Sequence, residues 1–370
     1  MENTQKHEKT DKEIESEIIE SIQKKENPSL ENLQNAEKIN FNQNELLQTD
    51  QYGFIKSETD QKPEDLLKIN ARLEKWNTMI KDFDSYLKNN SAKLKERTRK
   101  GIPDSLRAFV WQKFAEYDKY YIKDLYKNLE NEKTNIDYES IILKDLDRTF
   151  PKQSHFKTKY GTGQRSLYRV LCSYSKYNKE IGYVQGMGFI AALLLTYMDE
   201  ESTFFMMESL MKKYELEGLY KPGFPDLKKI FYVFLRLMKK YLPKIFELFK
   251  ANEILPSMYA SEWFICVFSR ELKFEVLVRI FDCFLLEKKK ILYRFALAFI
   301  KNKEKEFLSV KDGILGIMNI FKTIFDDVNV EDISNIAFSF NFKRKKIKKY
   351  EEEYEKEKNN KKNEIIYLIY

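Results

Sequence analysis

The chain has 370 residues, 43% of them hydrophobic and 33% charged, and its 65 basic and 58 acidic residues leave a net charge of +7. That length supports a substantial buried core, in one large domain or two packed halves. Only two histidines, His7 and His155, and three cysteines outside any C-x-x-C pair argue against most zinc sites and against a Ser-His-Asp triad.

Residues 1–49 are rich in Glu, Lys, Asn and Gln. They offer too little apolar surface to offset the entropy of ordering, so a disordered or weakly helical extension is expected. Order is expected to begin at Tyr52-Gly53-Phe54-Ile55, with a helical lead-in over 50–95 whose predicted helix carries Leu73, Trp76, Met79 and Ile80. Pro103 is suited to the first position of the next helix, where its missing N–H costs nothing, and Trp111 lies two turns on as a core anchor. From about 96 to 342 the helical period dominates. Leu167, Val170, Leu171, Tyr174 and Tyr177 form one stripe, and Val184, Met187, Ile190, Ala191, Leu194 and Met198 a second. Trp263, Phe264, Val267 and Phe268 form a third, and all three read as core faces.

Strand-like alternation is scarce, and 28 Phe and 23 Tyr suit the crossings of an irregular helical array. The fold class expected is all-α. Breaks fall at Gly161-Thr162-Gly163 and at Lys221-Pro222-Gly223-Phe224-Pro225, the second dividing an N-terminal half (96–220) from a C-terminal half (221–342). The tail, 343–370, opens on Lys343-Arg344-Lys345-Lys346 and reads as a solvated helix or frayed end, with apolar Ile365–Tyr370 either docked or loose. Cys172, Cys266 and Cys283 each lie in an apolar segment and read as buried free thiols in a reducing compartment. With no apolar signal core at the N-terminus and no apolar run of 18 residues, a cytoplasmic protein is expected.

Two segments carry candidate chemistry. In Ile142-Leu143-Lys144-Asp145-Leu146-Asp147-Arg148-Thr149-Phe150-Pro151, Asp145 and Arg148 are three apart and share a helix face. Pro151 forces Phe150 out of helical geometry, so the helix is expected to end just after Arg148. The arginine there either projects into a cleft or makes a plain surface ion pair. In Ile181-Gly182-Tyr183-Val184-Gln185-Gly186-Met187-Gly188, three glycines at a helix start admit close approach of another backbone. Gln185 is a poor acid or base. Its amide both donates and accepts, which suits holding a water beside a phosphate; a helix cap with a buried amide is the other reading.

Taken in order, these segments resemble the TBC domain, the catalytic domain of most Rab GTPase-activating proteins. Ile142, Asp145 and Arg148 fill its I-x-x-D-x-x-R motif, and Tyr183, Gln185 and Gly186 its Y-x-Q-G motif. Arg97 through Trp111, Gly163 through Tyr168, Trp263-Phe264 and Arg279-Ile280-Phe281-Asp282 extend the likeness, with Phe281 where tryptophan is common. Gly188 stands where the family often has Asn or Ser, and Lys288-Lys289-Lys290 lacks a glycine often seen there. The resemblance implies a TBC-type array in two packed helical halves and a dual-finger mechanism. Arg148 would enter the nucleotide site of a GTP-bound Rab-type small GTPase, and Gln185 would orient the attacking water. Asp145 would hold the arginine loop, Tyr183 would pack near the glutamine and touch the partner, and Gly186 would support the turn. His155 would be structural or at the interface rim. No G-x-x-x-x-G-K-[ST] loop occurs, so GTP and Mg²⁺ would come with the partner and the chain would need no cofactor. No nucleic-acid motif is present, and endomembranes would be reached through the partner. The alternative is a non-catalytic TBC-fold Rab-binding or scaffold module; such modules usually lack a finger, and both are present here.

Overall fold

The computed structural model describes residues 49–54 and 66–360; the extension before Thr49 and the apolar end Ile365–Tyr370 lie outside the described residues. Among the described residues every regular element is helical, as expected. One isolated antiparallel bridge joins Phe54 to Gln153 and pins the lead-in to the body.

The lead-in forms α1 (Leu66–Ile80), α2 (Phe83–Asn89) and α3 (Ser91–Arg99), with Trp76, Met79, Phe83 and Leu94 on its buried side. In α4 (Asp104–Ala115) Pro103 is the N-cap, one position earlier than expected. There follow α5 (Leu125–Glu130), α6 (Ile136–Leu146), α7 (Thr162–Tyr177), α8 (Met187–Leu195) and α9 (Glu200–Lys212). Asn135 caps α6 by accepting the Asp137 N–H at 2.8 Å. Helix α7 packs against α6, α8 and α9, which is where the first two stripes meet.

The remainder comprises α10 (Pro225–Tyr241), α11 (Pro243–Ala251), α12 (Ser261–Ile265), α13 (Phe274–Glu287), α14 (Lys290–Asn302), α15 (Glu304–Ser309), α16 (Gly313–Lys322), α17 (Val330–Ser339) and α18 (Arg344–Asn360). Helix α13 packs back onto α3 and α4, so one apolar core runs through helices on both sides of Lys221. At that contact Asp282 is fully buried. It accepts from the Trp111 indole at 2.7 Å, the Ile102 N–H at 3.1 Å and Arg107 Nε at 3.1 Å. Burial pushes the Asp282 carboxyl up, against the pull of Arg107. Burial alone would lower the Arg107 pKa, but Asp282, Tyr197 and Tyr52 together reverse that and raise it.

Two expectations need correction. The third stripe is not one helix: α12 ends at Ile265, and Val267 (φ +50°) and Phe268 (φ +63°) are left-handed. Both side chains are nonetheless buried, so the burial pattern survived a break in the backbone. The tail is neither frayed nor evenly solvated through α18. Ile347, Tyr350 and Tyr354 are buried as the helix lies along α10, with Tyr232 donating to Glu357 at 2.9 Å and Arg236 paired with Glu353 at 2.8 Å. The Lys/Glu run hid an i, i+3, i+7 apolar stripe.

Candidate functional site

Helix α6 ends at Leu146, two residues before Arg148, so the arginine lies in the turn beyond the helix. Phe150, ahead of Pro151, is left-handed at φ +45°, so it is out of right-handed helix but not in the extended geometry that a following proline favours. The turn is tied back to Asp145. Its carbonyl accepts the Arg148 N–H at 3.2 Å and the Thr149 hydroxyl at 2.8 Å. Its carboxylate accepts from Arg148 Nη2 through Oδ1 and from the Tyr183 hydroxyl through Oδ2, the latter at 2.7 Å. The Asp145 side chain is 7% exposed, whereas Arg148 is 52% exposed. A buried carboxylate holding an outward arginine is not the solvated surface pair that spacing alone allowed.

Tyr183 lies in the second segment, so one carboxylate joins the two loops. Burial first, and Asp145 next, push the Tyr183 phenol far above its usual pKa, which keeps it a hydrogen-bond donor. Gln185, two residues on, is exposed, and no described side-chain hydrogen bond engages it. The cap of α8 is Gly186, with no side-chain capping bond. The buried-amide reading of Gln185 is therefore set aside.

Gly186 has φ +105°, and a Cβ there would stand 2.9 Å from the Cys266 sulfur and 3.3 Å from Ile265. The glycine loop is thus approached by side chains rather than by the backbone expected there. Close backbone approach occurs instead at Gly163, where a Cβ would stand 2.2 Å from the His155 carbonyl oxygen. His155 is exposed, and its imidazole meets Phe156 edge-on at 5.1 Å. Cys266 and Ile265 underlie the glutamine loop from 80 residues downstream, and no local pattern could have flagged them. Burial pushes the Cys266 thiol up to about 12, with Glu271 and Asp145 adding to it. All three cysteines are free and buried, as expected.

The fold and these loops define an all-helical domain that presents an exposed arginine and an exposed glutamine from turns joined by a buried carboxylate. The chain belongs to the Rab-GTPase-TBC domain family, whose model matches residues 104–308, more than half of its length. It is 33% identical over 283 residues to the human ecotropic viral integration site 5 protein homolog, across 75% of this chain and 34% of that protein. It is 30% identical over 292 residues to the Rab GTPase-activating protein tbc-11 of Caenorhabditis elegans, across 77% of this chain and 31% of that protein. The chain thus spans about a third of the length of these relatives. Among solved structures, the Chlamydomonas flagellar RabGAP TBC domain superposes with a TM-score of 0.63 at 27% identity, covering 79% of this chain and 98% of that one. No described helix is long and apolar enough to cross a membrane.

Proposed function

We propose that the protein stimulates GTP hydrolysis by a Rab-type small GTPase, supplying Arg148 and Gln185 in trans. The observation that carries this reading is the bridging of both loops by buried Asp145 while Arg148 and Gln185 stay exposed. Phosphoryl transfer asks a protein mainly for positioning and charge. The Arg148 guanidinium neutralises charge building on the transferring phosphoryl group, and its planar fork can bridge two oxygens where an ammonium cannot. Gln185 accepts a hydrogen bond from the attacking water and donates to the phosphoryl oxygen, fixing the line of attack. The GTPase brings GTP and Mg²⁺. Asp145 and Tyr183 act only as positioning residues, and Gly186 allows the turn. Residues 96–220 present both fingers, with 221–342 behind them. The protein acts from the cytoplasm and meets endomembranes where its partner resides.

The test is phosphate release from a panel of GTP-loaded Rab proteins, with and without the chain. At least one member should be accelerated by wild type and not by Arg148→Ala. If binding occurs without acceleration across the panel, the chain is the non-catalytic module instead.

A further inference from the structure

The sequence shows a basic run at 343–346, and the fold supplies it with neighbours. Lys239, Lys240 and Lys244 close α10 and open α11, while Lys343, Arg344, Lys345, Lys346, Lys348 and Lys349 open α18. The two stretches adjoin. Tyr241 meets Phe340 at 5.7 Å and Phe342 at 5.6 Å, and its hydroxyl donates to the Asn341 carbonyl. Nine cations and no acid occupy 239–244 and 343–349 together, more than the whole chain's surplus of +7. Eight are exposed and Lys346 is half-exposed. Glu353, one turn beyond Lys349 and 3.8 Å from it, is the carboxylate paired at the patch's margin, and it is shared with Arg236.

Three of the ammonium groups meet aromatic rings. Lys239 lies over Phe246, Lys240 over Tyr241 and Lys346 over Tyr350, at 5.1–5.4 Å from each ring centroid. These cation–π contacts hold the three ammonium groups in place at the surface. Bringing this much like charge together opposes folding, and neither helix needs it, since α18 is held by Tyr350, Tyr354 and the Tyr232–Glu357 bond. The patch lies on α10, α11 and α18, apart from the helices bearing the fingers, and α18 lies beyond the residues matched by the family model.

We infer that this patch is a docking surface for a bilayer rich in anionic lipid. Eight of its nine cations are lysines, compact point charges suited to a diffuse sheet of negative charge, whereas base or phosphate readout favours the arginine fork. Each lysine at such a surface strengthens partitioning roughly five-fold at modest salt. Docking here would bring the chain to a membrane without help from a GTPase. The inference stands whether or not the fingers work as proposed.

The experiment is co-sedimentation of the full chain, without GTPase, with phosphatidylcholine vesicles containing or lacking phosphatidylserine. Binding is expected only with phosphatidylserine, falling steeply as salt rises. The triple variant Lys240→Glu, Lys343→Glu, Lys345→Glu should lose at least about ten-fold in partitioning while unfolding at no lower temperature than wild type and keeping any stimulation of a soluble GTPase. A control triple, Lys123→Glu, Lys127→Glu, Lys133→Glu, should bind vesicles as wild type does, and so should Arg148→Ala. Equal binding to neutral vesicles, no binding to charged ones, or equal loss in the control triple overturns the inference. So does duplex DNA binding more tightly than the vesicles through the same three lysines.

Discussion

At Arg148 the proposed finger role rests on the unequal exposure of the two ends of its pair with Asp145. Asp145 is buried and must have partners, because an unpaired buried carboxylate is costly. Its partners come from both loops, so it orients Arg148 without reaching solvent itself. Arg148→Lys and Arg148→Ala should both lose most stimulation, on the order of 10³-fold or more, with partner affinity far less affected. Single-turnover phosphate release beside an equilibrium binding assay separates the two effects. A lysine variant near the wild-type rate would refute the assignment. Gln185→Ala should lose on the order of 10²–10³-fold. Because Gln185 would replace the partner's own water-orienting residue, a GTPase lacking its switch glutamine should still respond to the wild-type chain. Asp145→Asn keeps an acceptor for Tyr183 but weakens the hold on Arg148, so a rate loss of about 10²-fold with unchanged binding is expected.

Between loop and helix, the glutamine turn depends on Gly186. Gly186→Ala meets two obstacles: a positive φ costing about 1–2 kcal/mol, and a Cβ 2.9 Å from the Cys266 sulfur. Adding Cys266→Ala should relieve the second and leave the first, so denaturation of the single and double variants should show partial recovery. A full recovery would mean that φ carries no strain. Lys288 is the converse case. It holds φ +61° and ψ −161°, a region nearly reserved for glycine. Lys288→Gly should stabilise by about 1 kcal/mol, less what is lost with the 3.2 Å bond from its ammonium to the Lys213 carbonyl. These elements also mark what the sequence could disclose. Helix faces, the Trp111 anchor and the two motif loops were legible because their signals are periodic or local. The two left-handed residues after Cys266 were not, since buried aromatics at helical spacing look the same on a helix or a kinked turn. The docking of α18 was missed because three apolar residues were submerged in charge. The floor beneath Gly186 could not be read at all, being a contact across 80 positions.

Over the whole molecule, charge clusters buried between distant segments tie the helices together. Arg107 and Asp282 join α4 to α13, and Glu287, the last residue of α13, joins it to α3. Its carboxylate accepts from Arg99 Nε at 2.7 Å and Lys290 at 2.6 Å, with Lys95 at 3.3 Å. Arg99 in turn lies over the Phe338 ring and so joins α17, as a fourth helix, to the three that meet at this carboxylate. Burial alone would raise its pKa, but the bonds from Arg99 and Lys290 win, and it stands at about 2 against 4.5 for a free glutamate. A depressed carboxylate pKa means that the unfolded chain binds the proton more readily. The stabilisation is therefore complete above about pH 4.5 and is lost as pH falls toward 2. A shift of this size corresponds to about 3 kcal/mol. Glu287→Gln removes the titrating group while keeping its volume. Wild type should exceed the variant in urea-unfolding free energy by a roughly constant margin at neutral pH, and the margin should shrink steadily below pH 4.5. Taking the difference cancels the other carboxylates, including Glu208 and Asp282, whose pKa values burial shifts the opposite way. A margin that stayed constant down to pH 3 would mean that Glu287 holds the helices by packing and neutral hydrogen bonds, not by its charge.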